Sequence, residues 1–198
     1  MQNLSFPLNF VFKISTLAND FTATDASGKV VAYVRQKMFK LKEAITIYSD
    51  ESRQQVEYTI AADRWLDFSA SYTFKDKDGS EIGKIGRKGW ASIWKAHYDI
   101  FDQHQQHQYT VREEKPWVKV MDGIFGQLPI LSMFTGYFFN PSYIVIDKNE
   151  QIVVRLKKEP SLVGRRFQVE KVGTLDNDDD DRVMLGLMMM ILLERRRG

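Results

Sequence analysis

The chain has 198 residues, 43% of them apolar and 27% charged, with a formal net charge of +2 and no cysteine. That length supplies one generous core but would leave two independent domains small, so a single domain spanning 1–198 is expected. The balanced charge gives no whole-molecule field for nucleic acid, and the missing thiols exclude a disulfide framework, a thiolate metal site, a cysteine nucleophile and palmitoylation.

At the N-terminus, Met1 to Ser15 carry no basic n-region, the first positive charge being Lys13. A secretory leader is therefore not expected, and a cytoplasmic location is. Short stretches alternating apolar and polar residues then follow one another: Val30–Val34, Ala44–Tyr48, Val56–Ile60, Tyr72–Lys75, Trp94–Ile100, Tyr109–Glu113, Tyr143–Asp147, Ile152–Lys157 and Phe167–Val172. Period-two alternation is the mark of a half-buried strand. Turn signals separate them at Asp25-Ala-Ser-Gly28, Asp76-Lys-Asp-Gly79 and Asp147-Lys-Asn149.

A faint repeat underlies these strands. Phe21 and Asp25, Tyr72 and Asp76, Tyr98 and Asp102, and Tyr143 and Asp147 each place an aspartate four residues after an aromatic. The even spacing sets both on one face, where the ring packs inward and the carboxylate opens a turn by accepting backbone N–H bonds. Hairpin construction accounts for this without a ligand. Gly83, Gly86 and Gly89 lie in strand-like sequence instead of a strand-to-helix turn, so they predict bulges or close packing and not a phosphate loop. His104 and His107 offer two imidazoles, with Asp102 nearby, but the segment reads as a hairpin loop and no metal is expected there.

Two segments break the pattern. Residues 116–139 contain too much Gly and Pro for one helix and predict short helical turns bearing Phe125, Leu128, Ile130, Leu131, Met133 and Phe134. The other is the run Val183–Leu193, preceded by Asp178–Asp181 and followed by Glu194-Arg-Arg-Arg197. Acids before it and bases after it suit a helix dipole, with the aspartates expected to cap the first turn. The run is apolar on every side, yet its eleven residues reach only about 17 Å against the ~30 Å of a bilayer core. Such a helix must be wrapped by protein, and the preceding strands are the available wrapper. The expected fold is mainly β, an antiparallel closed barrel around a buried C-terminal α-helix. Gly186 predicts a close approach to the barrel wall.

Three stretches, Ile82-Gly-Lys-Ile-Gly-Arg-Lys-Gly-Trp90, Gly136-Tyr-Phe-Phe-Asn-Pro-Ser-Tyr143 and Leu192-Leu-Glu-Arg-Arg-Arg-Gly198, make the whole chain resemble the LURP-one-related proteins. These belong to the tubby C-terminal-like superfamily with tubby and the phospholipid scramblases. The resemblance implies a twelve-stranded barrel threaded by a hydrophobic helix. It also implies a binding role, since tubby domains bind phosphoinositides; the cysteine cluster that lipidates scramblases has no counterpart here.

No G-x-S-x-G, Walker or Rossmann pattern occurs, so no catalytic residue, enzyme activity or cofactor is expected. The acids Asp176–Asp181 lack the spacing of an EF-hand. Basic residues concentrate as Lys84, Arg87 and Lys88 and as Arg155, Lys157, Lys158, Arg165 and Arg166, which together form an expected anion-binding surface if the fold joins them. The expected partner is an anionic phospholipid head group, met by a cytoplasmic protein at a membrane surface. The alternative is a protein-interaction scaffold whose partner docks on 116–139.

Overall fold

The computed structural model describes residues 4–13, 19–36, 44–63, 71–87, 96–114, 141–161, 164–175 and 177–195. Among these lie β1 (Leu8–Phe12), β2 (Phe21–Thr24), β3 (Val30–Gln36), β4 (Ala44–Tyr48), β5 (Val56–Ala62) and β6 (Ser71–Asp76). They continue with β7 (Glu81–Arg87), β8 (His97–Asp102), β9 (His107–Glu113), β10 (Ser142–Ile146), β11 (Ile152–Glu159) and β12 (Arg166–Lys171). One helix, α1 (Asn177–Arg195), ends the described chain. Residues 116–139 and Lys88 lie outside the described residues.

Each strand pairs antiparallel with its sequence neighbour, and β1 closes the ring on β12 through Leu8↔Val169 and Phe10↔Phe167. Closure leaves no unpaired sheet edge in the described wall. The alternation expected from sequence holds: Ile45 and Ile47, Tyr72 and Phe74, Tyr98 and Ile100, and Val154 and Leu156 are buried on the inner face. Polar neighbours such as Thr73, Asp99 and Arg155 face out.

The helix fills the barrel. Every apolar side chain from Val183 to Leu192 is at most 3% exposed, on all sides of the helix. Burying each Leu, Ile or Met contributes about 1.5–3 kcal/mol, and this element buries more apolar side chains than any single described strand. A Cβ added at Gly186 would stand 2.7 Å from Ile100 Cδ1, which is the close approach the sequence predicts. No described helix is long and apolar enough to cross a membrane.

The two barrel ends differ. The β2–β3, β4–β5, β6–β7, β8–β9 and β10–β11 connections share one end, and each opens on an aspartate: Asp25, Asp50, Asp76, Asp102 and Asp147. Their Oδ1 atoms accept backbone N–H bonds from the residue two ahead at 2.7–3.0 Å. The residue three ahead has positive φ in all five turns: Gly28, Arg53, Gly79, Gln105 and Glu150. The repeat seen in sequence is thus a turn-building device, with Asp50 a fifth copy that lacks the aromatic. Gly83 (φ +152°) sits where the β6–β7 register shifts, confirming a bulge.

Candidate functional site

The helix enters at the tight-turn end. Asp176 and the Asp178 side chain lie outside what is described; the carboxylates of Asp179, Asp180 and Asp181 bond to the barrel. Tyr109 Oη donates to Asp179 Oδ2 at 2.6 Å, and Tyr58 Oη donates to Asp181 Oδ2 at 2.5 Å. Lys171 Nζ donates to both oxygens of Asp180 at 3.0 and 3.2 Å. Arg182 pairs with Asp179 and reaches Gln103 Oε1. These contacts commit the acids of the first turn to holding the helix. At the far end Tyr98 Oη donates to Glu194 Oε1 at 2.8 Å. Burial, with the nearby Asp181 carboxylate, pushes the Tyr58 hydroxyl far above its ordinary pKa; burial and Glu194 do the same for Tyr98.

The histidines regroup. His104 is exposed, and Asp102 Oδ1 accepts the backbone N–H groups of His104 and Gln106 in its turn. On the outer wall, His107 Nε2 lies 3.5 Å from Asp99 Oδ1, with His97 Nε2 3.8 Å away on β8. Thr110 Oγ1 donates to the same oxygen at 2.8 Å. The cross-strand pair Asp99↔Thr110 brings His97 and His107, and not the sequence-near His104, to this carboxylate. Among the described residues no group of three acids or imidazoles could hold a metal.

The basic residues divide. β8, β9 and β10 separate β7 from β11, so the fold keeps the two clusters apart on the wall. Lys84 and Arg87 also stand on opposite faces of β7. Lys84 bonds Gln105 and lies 5.5 Å from the Phe101 ring centroid, while Arg87 lies near enough to Tyr72 and Tyr98 to act on both hydroxyls.

The second cluster does come together. β11 and β12 are neighbours with the register Lys157↔Gln168, Lys158↔Phe167 and Glu159↔Arg166, which groups Lys157, Lys158, Arg165 and Arg166 at one end of the pair. Arg155 is held by Glu114 through two bonds of 2.9 and 3.1 Å, and Lys157 by Glu170 at 3.0 Å. Arg165 and Arg166 have no carboxylate partner among the described residues. A guanidinium group without such a partner is suited to phosphate oxygens, which it engages through paired N–H donors.

The described residues define a closed twelve-strand antiparallel β-barrel threaded by an apolar C-terminal helix. Residues 30–170 match the model of the LURP-one-related family, and the chain belongs to that family. Its fold is similar to the X-ray structure of a protein from Arabidopsis thaliana, with a TM-score of 0.50 and 14% identity over 98% of this chain and 93% of that one. No curated protein matches it.

Proposed function

We propose that the chain is a non-enzymatic binding module that docks on anionic phospholipid head groups, as a peripheral protein of the cytoplasmic membrane face. The observation that carries this reading is the β11–β12 end, where Arg165 and Arg166 lack described carboxylate partners beside Lys157 and Lys158. Each base near an anionic bilayer contributes about 1 kcal/mol, so three engaged residues give roughly a hundredfold preference over a neutral surface. The attraction is screened within about 8–10 Å at ordinary ionic strength, so binding is salt-sensitive.

Liposome co-sedimentation tests it with neutral phosphatidylcholine vesicles and vesicles containing phosphatidylserine or a phosphoinositide, at low and moderate salt. Pelleting with anionic vesicles alone, weakened by salt and by Arg165→Glu with Arg166→Glu, is the expected result. A protein that stays in the supernatant with every anionic lipid refutes the lipid reading. Binding that survives the double substitution removes this surface from it.

A further inference from the structure

Charge is divided along the barrel axis. Acids outnumber bases in the five tight turns, and the helix enters among them with Asp179, Asp180 and Asp181. At the opposite end the β11–β12 hairpin carries Lys157, Lys158, Arg165 and Arg166 against Glu159. The strand register sets these four bases on both faces of the wall. Lys158↔Phe167 continues the inner-face pair Leu156↔Val169, and the inward-facing Phe12 donates its backbone N–H to Arg165 O at 3.0 Å. Lys158 and Arg165 therefore stand on the inner rim, where both are partly buried. Lys157↔Gln168 and Val11↔Arg166 are outer-face pairs, so Lys157 and Arg166 stand on the outer rim, and both are exposed.

That division decides how a charged plane can meet the barrel. A surface lying against the side of the wall reaches only the outer bases. There it also meets Glu159 and Glu170, the second already paired with Lys157. A surface lying across the end of the barrel reaches the bases of both faces. Glu170, four residues beyond Arg166 on β12, then stands about 13 Å behind the rim, past the screening length of ~8–10 Å. The acidic turns lie at the far end, where repulsion from an anionic plane is least. We infer that the barrel docks end-on on an anionic bilayer, with the β11–β12 hairpin against the head groups and the tight turns facing away. This orientation rests on the lipid reading above.

The chain contains no cysteine, so a single introduced thiol carries a fluorescent label at one place. Nitrobenzoxadiazole on Ser161→Cys in the hairpin, on Val172→Cys just past β12 or on Asn149→Cys in the β10–β11 turn reports which part meets phosphatidylserine-containing vesicles. Brighter, blue-shifted emission from the Ser161→Cys probe alone is expected. Val172 is exposed and lies six residues beyond Arg166, about 20 Å from the rim, so its probe responds only to side-on contact. In pelleting, Arg165→Gln and Arg166→Gln should each weaken binding about fivefold, because end-on contact uses both faces of the wall. A response from the Val172→Cys or Asn149→Cys probe overturns the orientation. So does a silent Ser161→Cys probe on protein that pellets, or a loss confined to one of the two arginines. Each of these results leaves lipid binding itself standing. An unlabelled chain that pellets with no anionic vesicle refutes the lipid reading, and the orientation with it.

Discussion

Tyr109, rooted on β9, donates its hydroxyl to Asp179 in the first turn of the helix across 2.6 Å, and both residues are buried. Tyr58 with Asp181 and Tyr98 with Glu194 repeat the arrangement on β5 and, at the other end of the barrel, on β8. The apolar surface of the helix is non-directional and would tolerate sliding along the lumen. Polar bonds at both ends fix its depth and rotation. Tyr109→Phe removes a donor and leaves a buried carboxylate short of a partner, which costs about 1.5–3 kcal/mol. Urea denaturation should show that loss at unchanged m-value; a change below about 0.5 kcal/mol would mean the bond is not part of the fold's stability.

Gly186 and Ile100 form a second fitted pair. Alanine at 186 gains about 1 kcal/mol of helix propensity, but its Cβ would lie 2.7 Å from Ile100 Cδ1 and 3.2 Å from Cγ1, against a side chain with no exposure. Overpacking of this kind costs about 1–3 kcal/mol, so Gly186→Ala is expected to destabilise. Ile100→Val removes the offending methyl group. The double variant should be more stable than the sum of the two single changes predicts, by at least about 0.5 kcal/mol. Strict additivity would show that the contact relaxes freely.

The five aspartate turns give a matched set of backbone tests. At Gly79 (φ +83°) nothing lies within 4 Å of an added Cβ, so any cost of Gly79→Ala is conformational and should be about 1 kcal/mol. Arg53, Gln105 and Glu150 hold the same turn position with φ of +59° to +65°. Replacing each with glycine relieves that strain while loosening the unfolded chain, and the net change should lie within about 0.5 kcal/mol of zero. Thermal melts of the four variants decide the matter, and a large loss in Glu150→Gly would show that its side chain does more than tolerate the turn.

Barrel and helix were legible because burial writes itself into spacing. Val183–Leu192 has no polar face, and strands such as Tyr109–Glu113 alternate cleanly. β1 was not read as a strand although Leu8, Phe10 and Phe12 all point inward and are buried. In β7, read as strand-like sequence, Gly83 puts no apolar side chain at a buried position, which weakens the period. The site was harder. Lys84 and Arg87 are near neighbours in sequence but project from opposite faces of a strand, and β7 lies four positions round the wall from β11. For Asp179 and Asp181, sequence shows the helix end but not the tyrosines facing it. No local pattern announces a bond between residues 58 and 181.

The same tyrosines set the response to alkali. Burial, helped by the hydrogen bond to Asp20, pushes the Tyr33 hydroxyl up to about 12 from an ordinary 10. Burial also raises Tyr58, Tyr72, Tyr98 and Tyr143. In the unfolded chain these hydroxyls ionise near pH 10, while in the barrel they keep their protons, so above pH 10 the unfolded state binds fewer protons. Stability must then fall as pH rises. The contribution is fully present below pH 10 and, for Tyr33, is lost as pH climbs from 10 through 12. Denaturation midpoints should hold steady from pH 8 to about 9.5 and drop beyond that. The rise in tyrosinate absorbance should coincide with loss of β-sheet circular dichroism instead of preceding it. A titration in which these tyrosines ionise near pH 10 with the barrel intact would show that they are not sealed in the wall.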